Sequence, residues 1–389
     1  MISFLGKIQP RNIMKSIKKI RIAFVHDDFI QFGGAERLIL DIVNEFQNDE
    51  NFEVAVYASI ISKQWQEILT QKNLKFTQSF LVKIPYIDRF SKLLFFTNLY
   101  YLAFSEFNFD SFDIVFSSST RYGHSVITKP DTFHISYINS PSRALWDEKR
   151  YFFGKKFLYL LIKNFLPSKR ILDFYSQNYA DLLISNSKNI ARKVKKYYQK
   201  NSLILYPFLN QKETGSNTPK KDYFLIISRL VAWKRFDFVI ETFNQTAEKL
   251  IVVGSGPEFD RYRLKSQNNI VFKGYTSDEE KFELLKNAKA LIFPQNEDFG
   301  ITLLESLSVF CPIIYLNQGG AKEILNPKVG VSFKYQNQES LLSALNNFNK
   351  LSFRVADFKK ILNLYSKEFF CYFLKRLVIQ KSRKFYNLV

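Results

Sequence analysis

The sequence predicts an α/β protein made of two doubly wound domains that face a central cleft, and three observations support this. The chain has 389 residues, which is long for one core of ordinary size and suits two. In each half, short β-rich runs alternate with helical patterns, as in parallel sheets that carry helices on both faces. A polar stretch separates the two halves.

Five β-rich runs define the first half. They are IRIAFVH (20–26), FEVAVYA (52–58), FDIVFSS (112–118), FHISYIN (133–139) and DLLISNS (181–187). After the first run, Leu38, Ile42 and Phe46 recur every four residues, as on one face of a helix. The second half repeats the alternation with YFLIISR (223–229), KLIVVG (249–254), ALIFP (290–294) and PIIYL (312–316). Each half therefore predicts one parallel-sheet domain.

The domain limits follow from the stretch QKETGSNTPK (211–220), which has lost the apolar content of its surroundings. We predict an N-terminal domain over residues 1–209, a connector over 210–222 and a C-terminal domain over 223–365. A C-terminal helix over 366–389 interleaves aromatic and basic residues. We expect this helix to pack back on the first domain, with membrane contact as the alternative.

The formal charge of +20 favours partners that carry phosphate, namely nucleotides, nucleic acids or anionic lipids. The two cysteines, Cys311 and Cys371, lack metal-binding or disulfide spacing, so a cytoplasmic location without a metal is expected. Residues 1–20 predict a basic arm rather than a signal peptide. No apolar run approaches the roughly 20 residues that span a bilayer, so any membrane contact is expected to be peripheral.

Ligands of open parallel sheets bind beyond the carboxyl ends of the strands, and four segments lie there. In the first, Gly33 and Gly34 precede a helix whose N-terminus favours an anion, although a plain strand-to-helix turn would look the same. In the second, Arg229 offers a guanidinium that can donate paired hydrogen bonds, and Lys234 offers an ammonium charge. Together they could stabilise a departing nucleoside diphosphate without a metal. A solvated basic loop is the alternative for this pair.

The third segment is EDFGITLLE (297–305), in which Gly300 lets the chain turn into a helix with free first amides. Glu297 can accept hydrogen bonds from sugar hydroxyls, and Glu305 can hold a ribose diol. A surface glutamate or a capping partner is the alternative for Glu305. In the fourth segment, the loops around Gly254 and Gly256 and around Gly274 can admit a base or a pyrophosphate, as can ordinary turns.

The sequence lacks GxxxxGK[ST], and no histidine-rich or paired-carboxylate metal constellation stands out. We therefore expect no cofactor, and a chemistry that relies on side chains and helix dipoles.

Taken together and in this order, GGAE, SRLVAWKR and EDFGITLLE resemble the nucleotide-sugar-dependent retaining glycosyltransferases of family 4, which have the two-Rossmann-domain GT-B fold. The resemblance covers nearly the whole chain. It implies a metal-independent transfer by front-face attack, with Glu297, Arg229 and Lys234 as the catalytic residues. It places the donor against both cations and against Gly33, Gly34, Gly254, Gly256, Phe299, Gly300, Ile301 and Glu305.

The stretches YINSPSRALWDE (137–148) and SRLVAWKRFDFVIETFN (228–244) look most like bacterial O-antigen and capsule mannosyltransferases. This resemblance implies GDP-mannose as donor, with UDP-sugars as the alternative, and a glycan or polyprenyl-linked glycan as acceptor for the first domain. Where many relatives have His-Thr-Pro, this chain has Asn139-Ser140-Pro141, so Asn139 is assigned to the sugar site. His124 could replace the missing histidine or lie exposed in a loop, and an inactive relative is a further alternative.

Residues 151–170, YFFGKKFLYLLIKNFLPSKR, interleave lysines with aromatic and aliphatic residues as interfacial helices do. They predict contact with an anionic membrane at the inner face of the plasma membrane, with a lysine-covered ordinary helix as the alternative. The charge also fits a nucleic-acid-binding protein, but it is spread along the chain without a recognised motif, so no nucleic-acid partner is expected. Epimerases and phosphorylases share two Rossmann domains but not these motifs.

Overall fold

A computed structural model describes residues 19–87, 97–210 and 220–386. Most of the predicted basic arm and of the predicted connector lies outside the described residues.

The first domain is built on a parallel sheet, which has seven strands in the part of the chain that the structure describes. They are β1 (Ile20–His26), β2 (Phe52–Ala58), β3 (Lys75–Gln78), β4 (Ile114–Ser119), β5 (Phe133–Ile138), β6 (Leu182–Ser185) and β7 (Leu203–Ile204). Their spatial order is β3-β2-β1-β4-β5-β6-β7. The order reverses between β1 and β4, and such a switch point opens a crevice at the carboxyl ends of the strands.

The second domain repeats this plan with a parallel sheet of six strands among the described residues. They are β8 (Phe224–Ile227), β9 (Leu250–Val253), β10 (Ile270–Gly274), β11 (Ala290–Phe293), β12 (Ile313–Leu316) and β13 (Gly330–Phe333). The order is β10-β9-β8-β11-β12-β13, so the switch point lies between β8 and β11.

Helices cover both sheets. In the first domain they are α1 (Gly34–Gln47), α2 (Lys63–Gln71), α3 (Leu99–Ser105), α4 (Arg143–Trp146), α5 (Glu148–Tyr151), α6 (Lys156–Ile162), α7 (Leu166–Ser176) and α8 (Lys188–Tyr198). In the second they are α9 (Asp237–Phe243), α10 (Phe259–Leu264), α11 (Asp278–Asn287), α12 (Ile301–Ser308), α13 (Gly319–Ile324), α14 (Gln338–Phe348) and α15 (Val355–Leu362). The last helix is α16 (Lys367–Tyr386).

These elements confirm the predicted fold class of two doubly wound parallel-sheet domains. All nine β-rich runs contain a strand, and most predicted ends differ from the observed ones by one or two residues. The nine runs do not include β3, β7, β10 and β13, although the loop around Gly274 was predicted to follow a strand. In β3 each side chain is at least partly exposed, and β7 has only 2 residues, so neither carries the apolar run that marks a buried strand.

The C-terminal helix α16 packs against the first domain. Phe370, Leu374 and Val378, at helical spacing, are buried in the same cluster as Phe24 of β1 and Tyr137 of β5. The ring centroids of Tyr137 and Phe370 lie 5.9 Å apart. The chain therefore crosses between the domains twice, before β8 and again before α16.

Within β5, His134 is fully buried beneath the helices. Its Nε2 lies 2.8 Å from Ser117 Oγ and its Nδ1 lies 3.3 Å from the carbonyl oxygen of Tyr179. Burial lowers the pKa of His134 to about 3, against a smaller opposing effect of the Tyr179 carbonyl. The folded protein therefore holds this imidazole neutral.

We predict that this histidine makes the fold sensitive to mild acid. An unfolded histidine has a pKa of about 6.5, so below that pH the unfolded chain binds a proton that the folded chain does not, down to pH about 3. Between pH 7 and pH 5 this linkage costs about 2 kcal/mol of stability. Urea unfolding of the first domain should show a smaller loss over this range in His134→Gln. An equal or larger loss in that variant would contradict the assignment.

Candidate active site in the interdomain cleft

Two of the predicted catalytic residues meet because their strands are neighbours. Lys234 ends a short helical turn, Ala232–Lys234, that follows β8, and Glu297 follows β11, the next strand in the sheet. Lys234 Nζ lies 2.6 Å from Glu297 Oε1 and donates to Ser228 Oγ at 2.5 Å. The carboxyl ends of the two central strands thus bring a cation and a carboxylate into one ion pair.

The surroundings of Lys234 concentrate positive charge. Burial lowers the pKa of Lys234, the ion pair with Glu297 opposes this, and the charges of Arg143 and Arg229 lower it further. The guanidinium of Arg143, which comes from the first domain, lies 5.1 Å from the ring centroid of Trp233. Two arginines therefore act on Lys234, which is paired with Glu297, an arrangement suited to an anionic group that develops charge.

The glycine pair of the first domain faces this site across the cleft. Arg229 Nη1 lies 3.5 Å from Gln31 Oε1, in the loop that leads to the glycines. Helix α1 begins at Gly34, and a Cβ there would lie 3.4 Å from Cδ1 of Ile301, the first residue of α12. The N-termini of two helices thus lie side by side, and both carry the positive end of a helix dipole.

Glu36, which was not predicted, lies directly against Gly33. A Cβ at Gly33 would lie 2.4 Å from Glu36 Oε2, so the glycine leaves room for this carboxyl group. Glu36 is buried and accepts a hydrogen bond of 3.3 Å from Gln31 Nε2. Burial raises the pKa of Glu36, although the nearby His26 opposes the shift. The GGAE motif therefore includes a fourth residue at the cleft.

Phe299 and Gly300 directly precede α12, the helix that carries Glu305. Gly300 has φ 95°, a left-handed conformation that favours glycine, and Phe299 is buried. Glu305 is 9% exposed, which contradicts the surface-glutamate alternative. Its Oε1 lies 2.7 Å from Lys281 Nζ, which also lies 2.9 Å from Asp278 Oδ1.

The ion pairs of Glu305 continue into the first domain. Nη1 of Arg37, in α1, lies 2.8 Å from Oδ2 of Asp278. A chain of four alternating charges therefore runs from α1 through α11 to α12. Because it ends on Glu305, the position of this carboxylate depends on both domains.

Gly254 and Gly256 have a structural reason to be glycine. Gly254 has φ 125°, and a Cβ there would lie 2.0 Å from the carbonyl oxygen of Ser228. At Gly256, a Cβ would lie 2.2 Å from the carbonyl oxygen of Leu230. These glycines let the loop after β9 pack against the segment that carries Arg229. Contact of either glycine with a donor stays a prediction.

Gly254→Ala should therefore destabilise the second domain strongly. The methyl group would collide with backbone and would force a conformation that alanine avoids, at a cost of about 2 to 4 kcal/mol. Gly274→Ala is the matched control, because Gly274 also has a positive φ of 71° but has nothing within 4 Å of its Cβ position. That variant should lose only about 1 kcal/mol. Equal melting temperatures for the two variants would contradict the packing argument.

Asp298 joins the two domains at the predicted catalytic loop and was not identified from the sequence. It is 3% exposed, although it comes directly after Glu297. Its Oδ2 accepts from Arg143 Nε at 3.0 Å and Nη2 at 2.8 Å, and its Oδ1 accepts from Lys193 Nζ at 2.5 Å. Its backbone carbonyl accepts from Ser187 Oγ at 3.1 Å. Three groups of the first domain thus hold one residue of the second.

Asp298→Asn should loosen this contact between the domains. Loss of the charge leaves two cations with a weaker partner, which we expect to cost about 2 kcal/mol because the cations are partly exposed. The radius of gyration from small-angle X-ray scattering should increase. Asp278→Asn breaks another interdomain ion pair, in which both side chains are 41% exposed, and should cost less than about 1 kcal/mol. Similar effects of the two variants would contradict a special role of Asp298.

A second glycine pair, Gly319 and Gly320, packs against the loop that carries Glu297 and Asp298. The Gly320 amide donates to the Glu297 carbonyl at 2.8 Å, and a Cβ at Gly320 would lie 2.1 Å from the Phe299 carbonyl oxygen. Nearby, Glu323 accepts from the amides of Lys188 and Asn189 at the start of α8, at 2.8 and 3.2 Å. The signal for this region is a glycine pair in the loop that follows the β-rich run PIIYL, as Gly33 and Gly34 follow the first run.

The two residues assigned to the sugar site lie in the first domain. Asn139 follows β5, is 9% exposed and donates through Nδ2 to Ser118 Oγ at 2.9 Å. His124 is buried, so the expectation of an exposed loop histidine is wrong. Its Nδ1 lies 3.0 Å from Ser119 Oγ and its Nε2 lies 2.9 Å from Ser176 Oγ. A sugar contact by His124 would have to replace one of these bonds.

Asp27 organises the turn that carries His124 and was not predicted. Its carboxylate accepts from the amides of Thr120, Tyr122 and Gly123 at 2.6 to 2.8 Å. Burial by itself would raise the pKa of Asp27, but Arg121, His26 and these donors lower it to about 2. The neighbouring Asp28 forms an ion pair with Arg121. The switch point of the first sheet is therefore held by two carboxylates.

Among the described residues, no three or more His, Cys, Asp or Glu side chains are grouped so that they could hold a metal ion. Within the same residues, no helix combines the length and the apolar character needed to cross a bilayer.

The fold and the cleft define a two-domain protein of the GT-B type. Residues 208–363 match the model of the family described as glycosyl transferases group 1, so the second domain belongs to that family. The predicted family resemblance is confirmed.

Curated relatives include mannosyltransferases. The chain is 26% identical over 188 residues to O-antigen chain mannosyltransferase C of Escherichia coli, which covers 43% of this chain and 50% of that protein. It is 23% identical over 367 residues to the alpha-1,3/1,6-mannosyltransferase of Kluyveromyces lactis, over 78% of this chain and 70% of that protein. The chain thus spans half the length of the first relative.

Solved structures share the fold at low identity. WaaG, a glycosyltransferase involved in lipopolysaccharide biosynthesis, superposes with a TM-score of 0.64 at 18% identity, over 92% of this chain and 98% of that one. Sucrose-phosphate synthase from Thermosynechococcus elongatus superposes with a TM-score of 0.71 at 14% identity, over 93% of this chain and 99% of that one. These similarities establish the two-domain GT-B fold.

Proposed function

We propose that the protein is a retaining, metal-independent glycosyltransferase that moves mannose from GDP-mannose to a glycan acceptor. The acceptor is a polyprenyl-diphosphate-linked glycan, and the reaction belongs to surface polysaccharide assembly at the inner face of the plasma membrane. One observation carries this proposal: Lys234 forms an ion pair with Glu297 at the carboxyl edge of the second sheet, and Arg143 and Arg229 lie near enough for their charges to act on Lys234. The named mannosyltransferase relatives and the group 1 domain support the choice of reaction and sugar.

The leaving group explains the gathered cations. In the proposed reaction, the bond between the anomeric carbon and the diphosphate oxygen breaks, and the acceptor oxygen bonds to the same face of that carbon. The acceptor proton passes to the departing diphosphate. Arg229 and Lys234 stabilise the negative charge that develops on it, and the adjoining N-termini of α1 and α12 add their dipoles.

Glu297 and Glu305 have different tasks in this proposal. Glu297, held by Lys234 and by the Gly320 amide, accepts hydrogen bonds from the hydroxyls of the transferred sugar. Glu305, held by Lys281, receives the ribose diol of the nucleotide. Both carboxylates are therefore fixed in place before the donor binds, so that binding does not have to order them.

The donor is tested by thermal shift and hydrolysis with GDP-mannose, UDP-glucose, UDP-galactose and UDP-N-acetylglucosamine. We expect stabilisation and slow hydrolysis with GDP-mannose. Arg229→Ala should lower kcat by about a hundredfold or more, since one preorganised group that stabilises developing charge is lost. Glu297→Gln should lower kcat by about tenfold or more, since it removes the charge but keeps the shape.

Matched controls are Arg263→Ala and Glu339→Gln, which change exposed residues of the same domain and should stay within about twofold of the original rate. Turnover with a UDP-sugar alone would replace GDP-mannose as donor. Silence with every donor would contradict the proposed function and favour an inactive relative. A salt-dependent gel shift with nucleic acid would support the alternative that the chain is a nucleic-acid-binding protein.

A further inference from the structure

Helices α6 and α7 expose a continuous apolar surface, which we call the α6–α7 face. Its large exposed side chains are Phe157, Leu160, Leu161, Phe165, Ile171 and Tyr175. Phe157 is 76% exposed and Phe165 is 60% exposed, although large apolar side chains are usually buried. Their spacing of three or four residues places those of α6 on one side of the helix. An apolar surface of this kind marks an interaction site.

The opposite side of both helices is anchored, so the exposure does not come from loose packing. Ile162 and Leu166 are buried in the core of the first domain. Asp173 of α7 is fully buried and accepts hydrogen bonds from Trp146 Nε1 at 2.6 Å and from the Tyr198 hydroxyl at 2.8 Å. The fold therefore holds the exposed side outwards.

The sequence around this face is basic, although Arg170 is paired with Glu148 at 2.9 Å and Lys169 is buried. Residues 149–172 contain no aspartate or glutamate, whereas the basic residues in this stretch are Lys149, Arg150, Lys155, Lys156, Lys163, Lys169 and Arg170. Lys156 begins α6 and Lys163 directly follows it. Both lysines are exposed and flank the apolar side chains. A surface that joins large apolar groups to exposed lysines is complementary to a lipid interface with anionic headgroups.

We propose that the α6–α7 face binds the surface of an anionic lipid bilayer. Helix α6 lies in the plane of the interface, Phe157 and Leu161 enter the boundary between headgroups and acyl chains, and the lysines contact lipid phosphates. A single apolar helix side would give weak attachment, and the lysines supply the second contribution that stable binding needs.

The start of this face lies beside the cleft. Gly154, which has φ 79°, approaches the turn Ala232–Lys234 so closely that a Cβ there would lie 3.4 Å from Ala232 Cβ. The guanidinium of Arg235 lies 5.5 Å from the ring centroid of Phe153. A bilayer bound to the α6–α7 face therefore lies on the Lys234 side of the cleft. Delivery of a lipid-linked acceptor from that side rests on the proposed function, whereas the lipid binding itself does not.

Sedimentation of the full chain with vesicles tests the proposal. The chain should sediment with vesicles of phosphatidylcholine and phosphatidylglycerol but not with phosphatidylcholine alone, and binding should weaken as salt increases. The apolar variant Phe157→Ser with Leu161→Ser should lower the partition coefficient by about tenfold or more. Its control, Leu264→Ser with Leu364→Ser, changes two exposed leucines of the second domain and should bind as the unchanged chain does.

The charge contribution is tested in the same way. Lys156→Gln with Lys163→Gln should lower binding by about tenfold, whereas Lys350→Gln with Lys360→Gln, which removes equal charge elsewhere, should have little effect. No binding to anionic vesicles at low salt, or equal losses in test and control pairs, would overturn the proposal. Donor hydrolysis is measured on the same variants without vesicles, so a chain that binds lipid but hydrolyses no donor separates the two proposals.

Discussion

The ion pairs of Asp298 are the interaction on which the arrangement of the cleft depends. This buried carboxylate comes directly after Glu297, and it is held by Arg143 and Lys193 of the opposite domain. Arg143 also covers Trp233, the residue before Lys234. The two members of the Lys234–Glu297 pair are thus each next to a residue that contacts the same arginine. A change in the distance between the domains would therefore affect the positions of both Lys234 and Glu297.

The remaining geometry follows from strand order. Each sheet reverses its order at its centre, between β1 and β4 in the first domain and between β8 and β11 in the second. Loops leave such a point in opposite directions and open a crevice. Asp27 fixes the crevice of the first sheet, and the Lys234–Glu297 pair occupies that of the second. Across the cleft, Gln31 after β1 contacts Arg229 after β8, and Arg143 after β5 contacts Asp298 after β11.

The sequence was sufficient for features that depend on local order. Most buried strands are predicted from their apolar runs, and the position of Lys234 and Glu297 at one edge of the sheet is predicted because each follows a strand. Contacts between the domains could not be found in this way. The partners of Asp298 lie 155 and 105 residues away along the chain, and no local pattern encodes such a distance. His124 was misjudged for the same reason, since Ser176, 52 residues later, covers its ring.

Helix α8 gives the first domain an internal stiffness with a mechanical result. Lys193, near its middle, is bound to Asp298, and Tyr198, at its end, is bound to Asp173 of α7. One helix of three turns therefore connects the loop that carries Glu297 and Asp298 to the anchored side of α7. If α7 is immobilised, this helix immobilises the contact between the domains at Asp298 as well.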